Sequence, residues 1–171
     1  MKLRVLLLGV ALVAACKEDK DTGTGAVEGT GAGDAQTPPT GRDAIENWLA
    51  KGLYKSWHCE PAPHPARPPG AHRDNRICSN DLLSTHATGE YPVGAASVKE
   101  LVEDGKVSGF AVALKVKAGG GEGWYWYERS SEELEADGLG NSGRPKDVCV
   151  SCHLGAGVRA SGHDLVFTQV K

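Results

Sequence analysis

The chain has 171 residues, of which 24% are charged and 40% hydrophobic, with 23 glycines and a formal net charge of −3. That is length for one folded domain plus an unpacked portion, and the charge carries no basic footprint for nucleic acid. The single methionine is Met1, which restricts the metal chemistry open to the processed protein.

Residues 1–15 read as a secretory leader. Lys2 and Arg4 precede an apolar run from Val5 to Ala14, too short to span a bilayer as a helix. Val13-Ala14-Ala15-Cys16 resembles the lipobox of bacterial lipoproteins. The resemblance implies cleavage before Cys16 and lipidation of Cys16, against the alternative of an ordinary secreted protein cut near Ala15. The expected location is the cell envelope, lipid-anchored and facing the periplasm. Lys17, where an aspartate would signal retention, favours the outer membrane. Residues 16–41 are rich in Gly, Thr and Ala with Pro38-Pro39, a disordered tether reaching about 25–30 Å.

Residues 42–171 form the expected domain. Asp43 can cap a first helix whose Ile45, Trp48, Leu49 and Leu53 share a face. His58, His64 and His72 fall in a proline-rich stretch without metal-ligand spacing and read as exposed loop histidines. Strands are expected over 95–102, 107–117 and 124–127. Val98 and Glu100 share one face of the first, Ser97, Lys99 and Leu101 the other, and Asp104-Gly105 marks a hairpin. In Trp124-Tyr125-Trp126-Tyr127 the tryptophans take one face and the tyrosines the other. Ser130 can cap a short helical turn through Glu132–Leu134, residues 137–146 read as a glycine-rich loop, and 164–168 as a last short strand. The alanines of Ala111–Ala113 would face solvent or a partner. The fold class expected is α+β: a predominantly antiparallel sheet domain with a few short helices.

Cys149-Val150-Ser151-Cys152-His153 is a C-x-x-C-H motif, the attachment signature of c-type haem. Two thiols three positions apart can each form a thioether to one porphyrin vinyl group, and His153 follows as the axial iron ligand. A zinc site would need two further ligands in a second motif, and a thioredoxin-like pair an alternating strand–helix pattern; neither is present. Five cysteines, less Cys16 and the haem pair, leave Cys59 and Cys78, which should form a disulfide in an oxidising compartment, contributing on the order of 3 kcal/mol. Without a methionine the His/Met arrangement of high-potential electron carriers is excluded. The sixth iron position is then open or taken by His, Lys or solvent, with His58, His72 and His86 as the candidates for a bis-histidine electron carrier.

The ordered pieces resemble the cytochrome P-460 family, which includes the sheet-rich cytochromes c′-beta. They are Tyr54-x-x-Trp57, Arg76 entering a short strand, Thr88-Gly89-Glu90-Tyr91, Gly94, Val98-Lys99-Glu100-Leu101, Gly123-Trp124, Ser151-Cys152-His153 and Asp164-x-Val166-Phe167-Thr168-Gln169. The resemblance implies one covalently bound haem c on His153, a distal face open to small nitrogen compounds, and a homodimer formed through the sheet. It implies hydroxylamine oxidation or nitric oxide binding. Lys99 matches the lysine that bonds to a porphyrin meso carbon, although periodicity alone makes it a solvent-facing strand lysine. Arg76 matches a distal arginine. The family draws a proton-accepting carboxylate from the segment before the haem cysteines; here Leu139-Gly140-Asn141-Ser142-Gly143-Arg144 holds no acid.

Overall fold

A computed structural model describes residues 37–67, 70, 72–131, 133–140, 146–159 and 164–171. The leader, Cys16 and the tether as far as residue 36 lie outside the described residues, as do residues 141–145 and so most of the acid-free segment before the haem motif.

Six strands form one antiparallel sheet in which each strand pairs with the next: β1 His58–Cys59, β2 Asp74–Ser79, β3 Ala96–Glu103, β4 Lys106–Lys115, β5 Trp124–Ser130 and β6 Glu133–Leu139. Hairpin geometry sets this order. Between β3 and β4 both Asp104 (φ 51) and Gly105 (φ 74) sit at positive φ, the signature of a two-residue type I′ turn. Among the described residues the α-helices are α1 Arg42–Ala50, the short α2 Asp81–Ser84 and α3 Lys146–Arg159. Asn80, fully buried, caps α2 by accepting from the Leu83 amide (3.1 Å), and the same oxygen accepts from the Ala96 amide (3.0 Å), tying α2 to the start of β3.

Period-two alternation gives the sheet two distinct faces. Cys78, Ala96, Val98, Val112, Leu114, Tyr125 and Tyr127 pack against Ile45, Trp48 and Leu49 of α1 and against Tyr54 and Trp57 after it. The opposite face carries Ala113, Trp124 and Trp126 and packs against Val150 of α3, Leu165 and Val166. The expected tryptophan/tyrosine split of β5 is thus the split between the two cores. Cys59 and Cys78 sit opposite each other in the β1–β2 register and form a disulfide.

Several local expectations are corrected. α1 begins at Arg42 with Gly41, not Asp43, as its N-cap residue. Gly41 is at φ 87 and its amide donates to Tyr125 Oη (2.9 Å), so the tertiary contact sets the boundary. Pro38 is fully buried, which ends the free tether before residue 38. The helical turn expected after Ser130 is instead a hairpin through Ser131 (φ 54) into β6. The residues following Leu165 make no strand and run as an irregular strap. α3 replaces the glycine/alanine stretch expected there; its glycine-rich sequence shows no helical pattern, and Val150, buried in one cluster with Trp124 and Trp126, ties it to the sheet.

Candidate functional site

The second face of the sheet is built to leave room. The register places Ile77, Lys99, Ala111, Glu128 and Ala136 in one row across β2 to β6. The next row runs Ser79, Ser97, Ala113 and Trp126. Ala111 and Ala113 are the small residues at mid-sheet, so the floor is low there while longer side chains rise around it. These alanines line a cavity. Its volume is about 440 Å³, within the roughly 300–1,000 Å³ usual for cofactor and ligand sites.

α3 lies along this cavity. Cys149, Cys152 and His153 are spaced i, i+3 and i+4 on it, which brings them to one side of a helix, and all three line the cavity. Neither cysteine is in a disulfide. Burial, the largest influence, pushes the Cys149 thiol up to about 11, so it is protonated at pH 7.

His153 is the most constrained side chain of the site. Its Nδ1 lies 2.7 Å from the Leu165 carbonyl oxygen. A carbonyl only accepts, so Nδ1 carries the proton and donates, leaving Nε2 as the nitrogen with a free lone pair. Burial, the largest influence, lowers the imidazole to about 4, with Lys99 and His72 acting in the same direction and the Leu165 hydrogen bond opposing. His153 is therefore neutral at pH 7. Trp126 and Phe167 pack beside it at ring distances of 4.7 and 5.4 Å. A fixed tautomer with a backbone partner on the other ring nitrogen is the usual state of a metal-binding histidine.

The accepting carbonyl is itself fixed. Leu165 adopts a positive φ of 55°. Its neighbour Asp164 pairs with Lys115, whose side chain is fully buried, and accepts from Trp124 Nε1 at 3.1 Å. Lys115 also reaches Glu90 (2.9 Å) and the Gly119 carbonyl (3.1 Å). Alternation along β4 gave no sign that this lysine is internal.

Lys99 lines the cavity with its neighbours Ile77 and Ala111, so the solvent-facing reading of this lysine is corrected. Burial lowers its amine to about 8, against the raising influence of Glu128 and Glu60, which leaves an appreciable unprotonated fraction near neutrality.

Arg76 is not brought to this site. It sits in register with Glu100 on the α1 side of the sheet, its Nη1 3.3 Å from Glu100 Oε2, its Nε donating to the Glu60 carbonyl (2.7 Å). Tyr54 Oη donates to the same Glu100 carboxylate (2.6 Å).

The loop between β1 and β2 corrects the reading of its histidines as exposed. His64 and His72 are partly buried and line the cavity; of that group, only His58 matches the expected exposure, pairing with Asp81 at the surface. His64 has both ring nitrogens engaged, by the Pro65 carbonyl (2.7 Å) and Glu60 (2.9 Å). His72 Nδ1 lies 3.0 Å from Glu128 Oε1, and its ring centroid is 6.3 Å from that of His153.

These features fit a haem c better than a lone metal ion. The site offers an apolar slot, two thiols on one helix face and one oriented imidazole, and among the described residues no group of three or more His, Cys, Asp or Glu could hold a metal by itself. No family model matches the chain, and no curated protein matches it.

Proposed function

We propose that the chain is a mono-haem c protein that takes a small nitrogen compound, hydroxylamine or nitric oxide, on the side of the haem away from His153. Lipid at Cys16 would hold it on the periplasmic side of the cell envelope. The observation that carries the reading is the convergence of Cys149, Cys152 and a tautomer-fixed His153 on one cavity.

Cys149 and Cys152 would hold the porphyrin covalently and His153 Nε2 would bind the iron. The group supplies redox and ligand-binding chemistry when bound. The chain's own contribution is orientation and exclusion. The Leu165 carbonyl fixes the His153 ring, Trp126 and Phe167 keep water from it, and the alanine floor admits a flat ring system. Lys99 stands in the same cavity, at the position where the family the sequence resembles carries a lysine bonded to the porphyrin. Glu128 and Glu135 also line the cavity. They come from β5 and β6, not from the segment before the haem cysteines, and are the carboxylates available to accept a proton from a bound hydroxylamine.

Optical spectra of the purified holoprotein test this. Covalent haem is expected, lost only when Cys149, Cys152 and Lys99 are all replaced by Ala, with a ferrous spectrum that changes on adding nitric oxide. A red-shifted ferrous Soret band that reverts to an ordinary c-type band in Lys99→Ala would establish the cross-link. Haem retained covalently in the Cys149→Ala/Cys152→Ala/Lys99→Ala protein, or a ferrous spectrum indifferent to nitric oxide, would overturn the reading.

A further inference from the structure

We propose that His72 supplies the second axial imidazole of this centre, opposite His153, in the resting protein, and that it gives way to an incoming small ligand; the inference rests on the haem reading above.

The argument begins with which imidazoles are available. Of the described histidines, His64 lines the cavity with both nitrogens occupied. His58 is at the surface with Asp81, and His86 stacks on Tyr91 outside the cavity lining. His72 lines the cavity beside His153 and has one nitrogen committed, Nδ1 to Glu128. A carboxylate acceptor at Nδ1 leaves Nε2 with the lone pair. The two rings are therefore prepared alike. Each has Nδ1 tied to an oxygen, Leu165 O for His153 and Glu128 Oε1 for His72, and each keeps Nε2 for a metal, the arrangement seen around metal-bound histidines.

The spacing agrees. The centroids are 6.3 Å apart, which accommodates one metal atom between two ring nitrogens at bonds of about 2 Å each. The other rings packed on His153 are Trp126 and Phe167, and neither can ligate.

Displacement also has somewhere to go. His72 and Glu128 form part of the wall between the main cavity and a second one of about 240 Å³, lined further by Arg73, Ser130 and Glu135. A ring leaving the iron would enter a polar space without losing its bond to Glu128. His72 would then filter ligands: a strong iron ligand such as nitric oxide displaces the imidazole, and a weak one does not.

Visible and electron paramagnetic resonance spectra of the ferric holoprotein test this, with covalent haem staining run in parallel. A six-coordinate low-spin signal is expected for the wild type. His72→Ala should become high-spin with haem still attached, and free imidazole should restore the low-spin signal, which shows that the variant is folded and lacks only the ligand. His58→Ala should stay low-spin. Nitric oxide should bind the ferrous His72→Ala protein about tenfold faster or more, because the competing ligand is gone. A high-spin wild type, or a low-spin signal that survives in His72→Ala, would overturn the assignment of His72 while leaving the haem reading intact. Absence of covalent haem in the wild type would overturn both.

Discussion

Two buried polar networks set what single residues do. On the α1 side, Glu100 takes hydrogen bonds from Tyr54 and Arg76. Glu100→Ala would strand both donors, and a loss of about 3 kcal/mol is expected in urea unfolding, with Tyr54→Phe costing about half of that. On the other side, Asp164→Ala would leave the fully buried Lys115 with only the half-exposed Glu90 as a charged partner. That variant should lose about 3–5 kcal/mol by the same measurement. The carboxylates also fix the acid limit. Glu46 sits below its usual value because Tyr127 donates to it and Arg129 and Arg42 are near. Burial opposes but does not overcome a similar lowering at Glu60, where Arg67, the Ile77 amide and His64 all favour the charged form. Groups lowered in the folded state stabilise it fully above the ordinary carboxylate range. Their contribution disappears as pH falls through the lowered values. Thermal midpoints should therefore be flat in this respect from pH 5 to 7 and drop below about pH 4; a midpoint unchanged at pH 3 would contradict the assignment.

At the scale of elements, strands β3, β4 and β5 are plain in the sequence because one residue in two faces a core, and the Trp/Tyr alternation of β5 marks both. β6 is not, since Glu133–Leu139 is acidic and ends in Gly138-Leu139; its drive is pairing with β5. α3 is equally hidden, because glycine at 155 and 157 removes helical propensity and contact with the sheet replaces it. The burial of His72 was hidden for a related reason. His72 belongs to no periodic element, and its place comes from the turn of the chain into β2, 56 residues away from the Glu128 it meets. The C-x-x-C-H motif, by contrast, is local and could be read directly. Two variants probe the elements. A Cβ at Gly109 would lie 2.2 Å from the Arg129 carbonyl oxygen, so Gly109→Ala should loosen the β4–β5 pairing by about 1–3 kcal/mol. Replacing Cys59 and Cys78 together by Ala should cost about 3 kcal/mol, a fall of roughly 10 °C in thermal midpoint.

The molecule as a whole has two cores, and one of them lies on the far side of the sheet from the cavity. The α1 core, with Trp48, Tyr54 and Tyr125, lies on the face away from the cavity. A Cys149→Ser/Cys152→Ser protein should therefore keep its sheet signal in far-ultraviolet circular dichroism and unfold cooperatively; a variant without sheet structure would show that the porphyrin is part of the core. Among the described residues no helix is long and apolar enough to cross a membrane, and the expected attachment at Cys16 would leave this two-faced domain at the end of a tether.

The strap that supplies the Leu165 carbonyl is fastened well beyond His153. Gln169 donates to the Leu83 and His86 carbonyls, the Val170 amide to Ser79, and Lys171 to the Ser84 carbonyl. All six strands precede it in the chain. Vectorial synthesis therefore delivers a pairable sheet and a thiol pair before it delivers the residue that orients the imidazole. On the haem reading, that order would leave an interval in which the slot is open on its strap side and a rigid, flat group could be loaded. Once the strap is buckled across β2 and α2, its hydrogen bonds acting together would oppose release of such a group.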